Sequence, residues 1–246
     1  MKVISFYNIK GGVGKTTFAV NIAFEASKSG KKTLLWDLDP QGSATYILRL
    51  KPRLRGDLSQ VAAGKSSLVK STKETQWPLL DVLPSDFELR NLSSLLADHK
   101  RRSTRLSSTT KLFGADYDLV VVDCAPEASI VSENILNFSD LMVVPLIPNQ
   151  LSINTFEMLL AFAKQVSNKG PKMVAAFNMV DRRRLLHKNL VDQYVNGNKK
   201  FLNQYIPSSA SIEHIASKRA PLGSFDSRSL AAASFAALTR EILELL

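Results

Sequence analysis

The stretch KGGVGKTT, residues 10–17, constrains this chain more than any other feature. It follows a short apolar run, KVISFY at residues 2–7. It precedes residues 15–29, where Phe18, Ile22, Ala23 and Ala26 recur at helical spacing and Gly30 is placed to end a helix. A strand that turns through Gly11, Gly12, Val13 and Gly14 into a helix aims several backbone N–H groups and a helix N-terminus at one point. That geometry holds a di- or triphosphate. Lys15 then reaches the β- and γ-phosphates, the Thr16 hydroxyl ligates Mg2+, and Thr17 completes the loop. The first glycine of the usual G-x-x-x-x-G-K-[ST] pattern is missing. Ile9 holds its place, and a second lysine, Lys10, stands beside it. A dinucleotide-type G-x-G-x-x-G loop is disfavoured, because it needs glycine at Thr17.

The rest of the chain alternates between strands and helices. Residues 33–36, 79–83, 119–122, 141–147 and 173–177 read as short buried strands, with a helix over 152–169. A closing helix over 229–246 is expected to turn Leu230, Phe235, Leu238, Ile242 and Leu245 inward, and 87–97 reads as helix fragments. Uninterrupted apolar runs between helices predict an α/β fold, a mostly parallel twisted sheet with helices on both faces. No repeat or composition break divides residues 1–246, so one domain is expected. Residues 50–78 and 98–116, rich in Lys, Arg and Ser, are the least legible.

Two of these strands run into carboxylates. Asp123 follows LVVV, and Asp37 and Asp39 lie in WDLDPQGS. Ligands of open α/β sheets bind at the C-terminal ends of strands, so all three aspartates are expected beside the phosphate loop. Asp123 takes the position of a Mg2+-holding aspartate, and a carboxylate at Asp37 or Asp39 can orient an attacking water. A lone aspartate at a strand end is more often a cap or turn former. Three beside one phosphate loop point to chemistry.

KGGVGKTT, DLDPQGS and YDLVVVDCAP, in this order and spacing, resemble the ParA/MinD group of deviant Walker-A ATPases, and the chain is most similar to its ParA (Soj-like) branch. The similarity extends to DVLPSDFEL, VVPLIPNQLSINTFEML and IPSSASIEHIASKRAPLG, and so covers nearly the whole chain. The resemblance implies a P-loop fold and slow ATP hydrolysis with Mg2+. It implies an ATP-sandwich homodimer in which Lys10 reaches the partner subunit's phosphates. It further implies that Asp39 is needed for hydrolysis, that Asp37 and Asp123 belong to the first and second switch segments around the metal, and that Asn178 and Pro207 frame the adenine. Two departures stand out. Ala125-Pro126 replaces the usual Pro-Pro, and Ser208-Ser209 follow Pro207 where many DNA-binding members carry arginine.

The net charge of +10, from 32 Lys+Arg against 22 Asp+Glu, suits a polyanionic partner. With the resemblance it implies nonspecific double-stranded DNA. Candidate contacts are Arg182, Arg183 and Arg184 with Lys188, then Lys199 and Lys200, and Lys218 and Arg219, with Lys100, Arg101, Arg102 and Arg105 as an earlier group. A ParB-like or other adaptor that stimulates hydrolysis is the further implied partner. The alternative is a MinD-like membrane ATPase, but the chain ends TREILELL, without the basic amphipathic face such an anchor needs. One cysteine, Cys124, leaves no thiolate set for an iron–sulfur cluster, and His99, His187 and His214 are scattered. With no membrane-length apolar run or signal peptide, the expected location is the cytoplasm, and the resemblance implies association with the nucleoid there.

Overall fold

The computed structural model describes residues 1–54, 58–63, 66–98, 100, 102–167, 170–195 and 197–246. Seven strands form its sheet: β1 (Lys2–Phe6), β2 (Thr33–Asp37), β3 (Lys73–Glu74), β4 (Leu80–Leu83), β5 (Leu119–Asp123), β6 (Leu141–Leu146) and β7 (Lys172–Phe177). Their order is β3-β4-β2-β5-β1-β6-β7, parallel throughout except for the short edge strand β3 against β4. The helices are α1 (Lys15–Lys28), α2 (Ser43–Ile47), α3 (Ser59–Ala63), α4 (Leu92–Ala97), α5 (Ser107–Lys111) and α6 (Ile130–Phe138). They continue with α7 (Gln150–Val166), α8 (Leu185–Val195), α9 (Ala210–Lys218), α10 (Leu222–Phe225) and α11 (Leu230–Glu244).

Successive strand residues point to opposite faces, and both faces are covered, so each strand feeds two cores. Val3 and Tyr7 of the first strand segment, Leu34 and Trp36 of β2, Val120 and Val122 of β5, and Met142 and Val144 of β6 enter one core with α6 and α7. Ile4, Phe6, Leu35, Val121 and Val143 enter the other, under α1 and α11. There Phe18 bridges Phe6 and Phe235 edge-on, with ring centroids 5.9 and 5.7 Å apart. Gly30 ends α1 in the left-handed conformation, φ 88, as expected.

Three expectations shift. Leu230 is 74% exposed, because it begins α11 directly after the cap Ser229 and lies nearly one and a half turns ahead of Phe235, on the opposite side of the helix. Ala231 and Ala232 take the inward place, and Leu245 is only half-buried. The helix expected at 152–169 starts earlier, because the Asn149 side chain caps it by accepting from Ser152 N at 2.9 Å. It ends at Val166, and Lys169 lies outside the described residues. Finally, within the illegible 98–116 region, residues 102–109 are held from a distance. Asn134 of α6 donates to Arg102 O (2.6 Å) and accepts from Leu106 N (2.9 Å), while Thr109 Oγ1 donates to Val61 O.

Candidate functional site

The sheet order reverses its direction of growth at β1, with β5 and β2 on one side and β6 and β7 on the other, and the crevice at such a point is where α/β sheets bind ligands. The loop from β1 to α1 crosses it. Asn8, fully buried, donates to Pro145 O at 2.9 Å and accepts from Lys10 N at 2.9 Å, which fixes the loop entrance. Gly12 and Gly14 adopt φ 74 and 97, a backbone region open to glycine. A side chain at Gly14 would also collide with the Asn178 amide. Nothing lies within 4 Å of a Cβ built at Gly11 or Gly12, so a ligand can approach their backbone closely.

Lys15 opens α1, is buried, and folds back so that Nζ donates to Lys10 O at 3.1 Å. Burial pushes its pKa down, opposed by Asp123 and Asp39 nearby. Lys10 itself donates from Nζ to Leu151 O at 3.0 Å, in the first turn of α7. Thr16 is half-buried, and its hydroxyl acts to lower the pKa of Asp123.

Phe6, Asp123 and Asp37 share one rung of the sheet, so the two carboxylates emerge side by side. Asp123 is fully buried, and among the described residues neither of its oxygens has a hydrogen-bond partner. Its pKa is raised well above the usual carboxylate range, by burial first and then by Asp37. Such orphaned oxygens fit a cation. With the Thr16 hydroxyl and ligand phosphates they make an all-oxygen donor set suited to Mg2+. Among the described residues no cluster of three or more His, Cys, Asp or Glu is poised to hold a metal by itself. The site therefore matches a metal that arrives with its phosphates.

Asp37 is committed differently. Its Oδ2 accepts from Thr45 N (2.8 Å) and Thr45 Oγ1 (2.7 Å), which ties β2 to α2, and burial raises its pKa to about 6. Asp39, half-buried, accepts from Gln41 N at 2.9 Å, while its carbonyl accepts from Ser85 Oγ. Asn178 directly follows β7, donates to Val13 O at 2.8 Å, and keeps a buried Oδ1 without a partner among the described residues. Pro207 pairs with Val180 and lines a cavity of about 620 Å3. Cys124 is buried in the core.

The basic candidates separate. Arg183 grips Asp181 through Nε and Nη2, both at 2.9 Å, and holds that carboxyl down at about 2. Arg182 donates to Tyr205 Oη at 3.0 Å, and both arginines line the cavity beside Pro207. Arg184, Lys188, Lys199, Lys200 and Lys218 are exposed, as are Lys100 and Arg102, and Arg219 is half-buried. His187 is buried and accepts from Asp181 N, whereas Arg101 and His99 lie outside the described residues.

Residue-type reasoning missed Tyr7, Asn8, Thr45 and Ser85. Tyr7 Oη donates to Glu127 O at 2.8 Å, which braces the loop after Asp123 where Ala125 replaces a proline. Ser85 N donates to Thr45 Oγ1 at 2.9 Å. The usable signal was position. Asn8 and Ser85 each follow a strand end at the ligand edge, and polar residues buried there serve the site.

Comparison with known proteins agrees with this geometry. The AAA domain family AAA_31 matches residues 1–175. The chromosome-partitioning ATPase Soj of Treponema pallidum (strain Nichols) is 30% identical, over 98% of this chain and 97% of its own length. The chromosome partitioning protein ParA of Caulobacter vibrioides (strain NA1000 / CB15N) is 28% identical over 99% and 94%. A Borrelia burgdorferi B31 protein assigned to plasmid partition, solved with AMPPNP, superposes with a TM-score of 0.84 at 23% identity, over all of this chain and 99% of that one. Full-length likeness to partition ATPases, on a phosphate loop that carries the second lysine, makes this chain a member of the ParA/MinD family of deviant Walker-A ATPases, on its ParA (Soj-like) side.

Proposed function

We propose that residues 1–246 act as one ParA-type unit that binds ATP with Mg2+, pairs with a second copy around two nucleotides, binds DNA without sequence preference, and lets go on hydrolysis. The observation that carries the reading is the rung shared by Asp123 and Asp37, directly beside Lys15 and the open glycine backbone. Thr16 and Asp123 would hold Mg2+, which when bound neutralises phosphate charge. Lys15 leaves the Lys10 carbonyl for the β- and γ-phosphates. Asp39, on the loop between β2 and α2, orients the attacking water. Asn178 and Pro207 border the adenine, with the unpartnered Asn178 Oδ1 as an acceptor for it. Lys10 exchanges the Leu151 carbonyl for the partner subunit's phosphates, so that pairing depends on ATP.

The role is to position or partition a cargo, whether plasmid, chromosome or protein assembly, over the nucleoid in the cytoplasm. A ParB-like or other adaptor stimulates turnover. The net charge of +10 supports a DNA partner. Among the described residues no helix is long and apolar enough to cross a membrane. Fluorescence anisotropy of a random-sequence duplex, titrated in ATP, ADP and no nucleotide, tests the reading. Tight binding only with ATP, weakening with salt, is expected. Equal or absent binding in all three states would overturn it, and liposome sedimentation with ATP would then test the MinD-like alternative.

A further inference from the structure

Two arginines occupy backbone conformations that side chains avoid. Arg49 has φ 64 and Arg219 has φ 49. Arg49 lies one residue beyond the cap of α2, and Arg219 is itself the cap of α9. Glycine fills such positions without strain, so an arginine there needs a compensating contact.

The contact is reciprocal. Arg49 Nε donates to Arg219 O at 3.0 Å, and Arg49 Nη2 donates to Lys218 O at 3.1 Å. In return, Arg219 Nε donates to Tyr46 O at 2.9 Å, and its guanidinium lies 4.4 Å from the centre of the Tyr46 ring. Each arginine thereby serves the carbonyl-rich, partially negative end of the other's helix. Among the described residues neither has an ion pair with a carboxylate, and both guanidiniums retain N–H donors beyond those the clasp uses. Lys218 is exposed on one side of the clasp, and Lys51 and Arg53 are exposed in the segment that follows Arg49.

The middle of α2 is anchored beside the nucleotide site. Thr45 donates twice to Asp37, and Thr45 O accepts from Leu50 N at 3.1 Å. Tyr46 is the next residue. Residues 45–49, the second half of α2 and the two residues after it, therefore connect the Asp37–Asp123 rung to the Arg219 carbonyl.

We propose that Arg49 is a further DNA-binding residue and the positioning residue for Arg219, and that the Arg49–Arg219 clasp passes the state of the nucleotide site, through α2, to this basic edge. The inference rests on the DNA-binding reading above. Direct phosphate contact by the free guanidinium donors of both arginines supplies the affinity.

Hydrogen exchange of the full chain, with and without AMPPNP and Mg2+, reads the link directly. In the parent, nucleotide should change exchange in both 43–50 and 212–220. Arg49→Ala should keep the first response, which also reports intact nucleotide binding, and lose the second. Its affinity for a random-sequence duplex in the ATP state should fall several-fold, and the salt slope should drop by about one. Arg49→Lys keeps the charge without the planar fork. It should recover much of the affinity but not the response at 212–220. A parental response at 212–220 in Arg49→Ala, or no response there in the parent, overturns the link. Parental duplex affinity in Arg49→Ala overturns the contact. A parent that binds no duplex in any nucleotide state overturns the functional reading, and the exchange data then decide the clasp on their own.

Discussion

Lys15 and Asp39 both lie close enough to the buried Asp123 to act on its charge, yet they should fail in opposite ways when removed. Lys15→Ala loses the side chain that opens α1 and folds back onto the phosphate loop, so fluorescent-nucleotide binding should vanish. Asp39→Ala removes a half-buried carboxylate and its bond from Gln41 N but keeps the main-chain carbonyl that accepts from Ser85 Oγ, so binding should persist while turnover stops and the ATP-bound dimer accumulates. Parental phosphate release by Asp39→Ala would refute its role. Asp37 gives a pH signature. Burial raises its carboxyl to about 6, against about 4 in an unfolded chain. The folded state thus holds this proton where the unfolded state has lost it. That stability is fully present below about pH 4 and lost as pH rises through about 6. Urea midpoints of nucleotide-free protein should therefore decline less over this window in Asp37→Asn than in the parent. Asp37 and Asp123 titrate as a pair, so part of the slope should survive in the variant. Identical profiles would place the proton elsewhere.

Among elements, legibility followed how local the determinants were. The runs at β1, β2 and β5 are mostly apolar, and two of them end in the carboxylates that mark the ligand edge, so strand and site were readable together. The phosphate loop was readable residue by residue, because its glycines and lysine act through local backbone geometry. By contrast, α3, α5 and the turn at 102–106 are held by Asn134, Asn137 and Thr109, whose partners lie 28 to 48 residues away. Thr45 and Ser85 were invisible for the same reason, since the Ser85–Thr45 bond joins residues 40 apart. The start of α11 misled because a leucine next to a cap resembles the first turn of a buried stripe. The α1–α11 contact is the test at this scale. Phe18 is fully buried between Phe6 and Phe235, and Phe18→Ala should cost about 3–5 kcal/mol in chemical unfolding. A loss below about 1 kcal/mol would mean that the two helices repack around the gap.

Across the whole molecule, charge is segregated by function. Asp37 and Asp123 at the ligand edge are buried, and the surplus of ten positive charges is carried largely by exposed lysines and arginines. If that surplus meets DNA phosphates, the logarithm of duplex affinity should fall linearly with the logarithm of salt concentration, with a slope near 0.9 per phosphate neutralised. A salt-independent affinity would mean that charge is incidental. Arg182 and Arg183, already engaged with Tyr205 and Asp181, should contribute less to that slope than Lys218 and Lys199.

The lysine at the loop entrance carries a consequence beyond its own reach. Its ammonium rests on a carbonyl that already accepts the Thr155 hydroxyl at 2.7 Å, in the first turn of α7. Helix beginnings repel cations. A solitary chain therefore keeps Lys10 in a poor place, satisfied by a shared and neutral acceptor. Such a side chain behaves like a loosely set trigger. Its sensitivity comes from how little it gives up on release, and under the proposed pairing a stronger resting contact would slow recognition of a second copy.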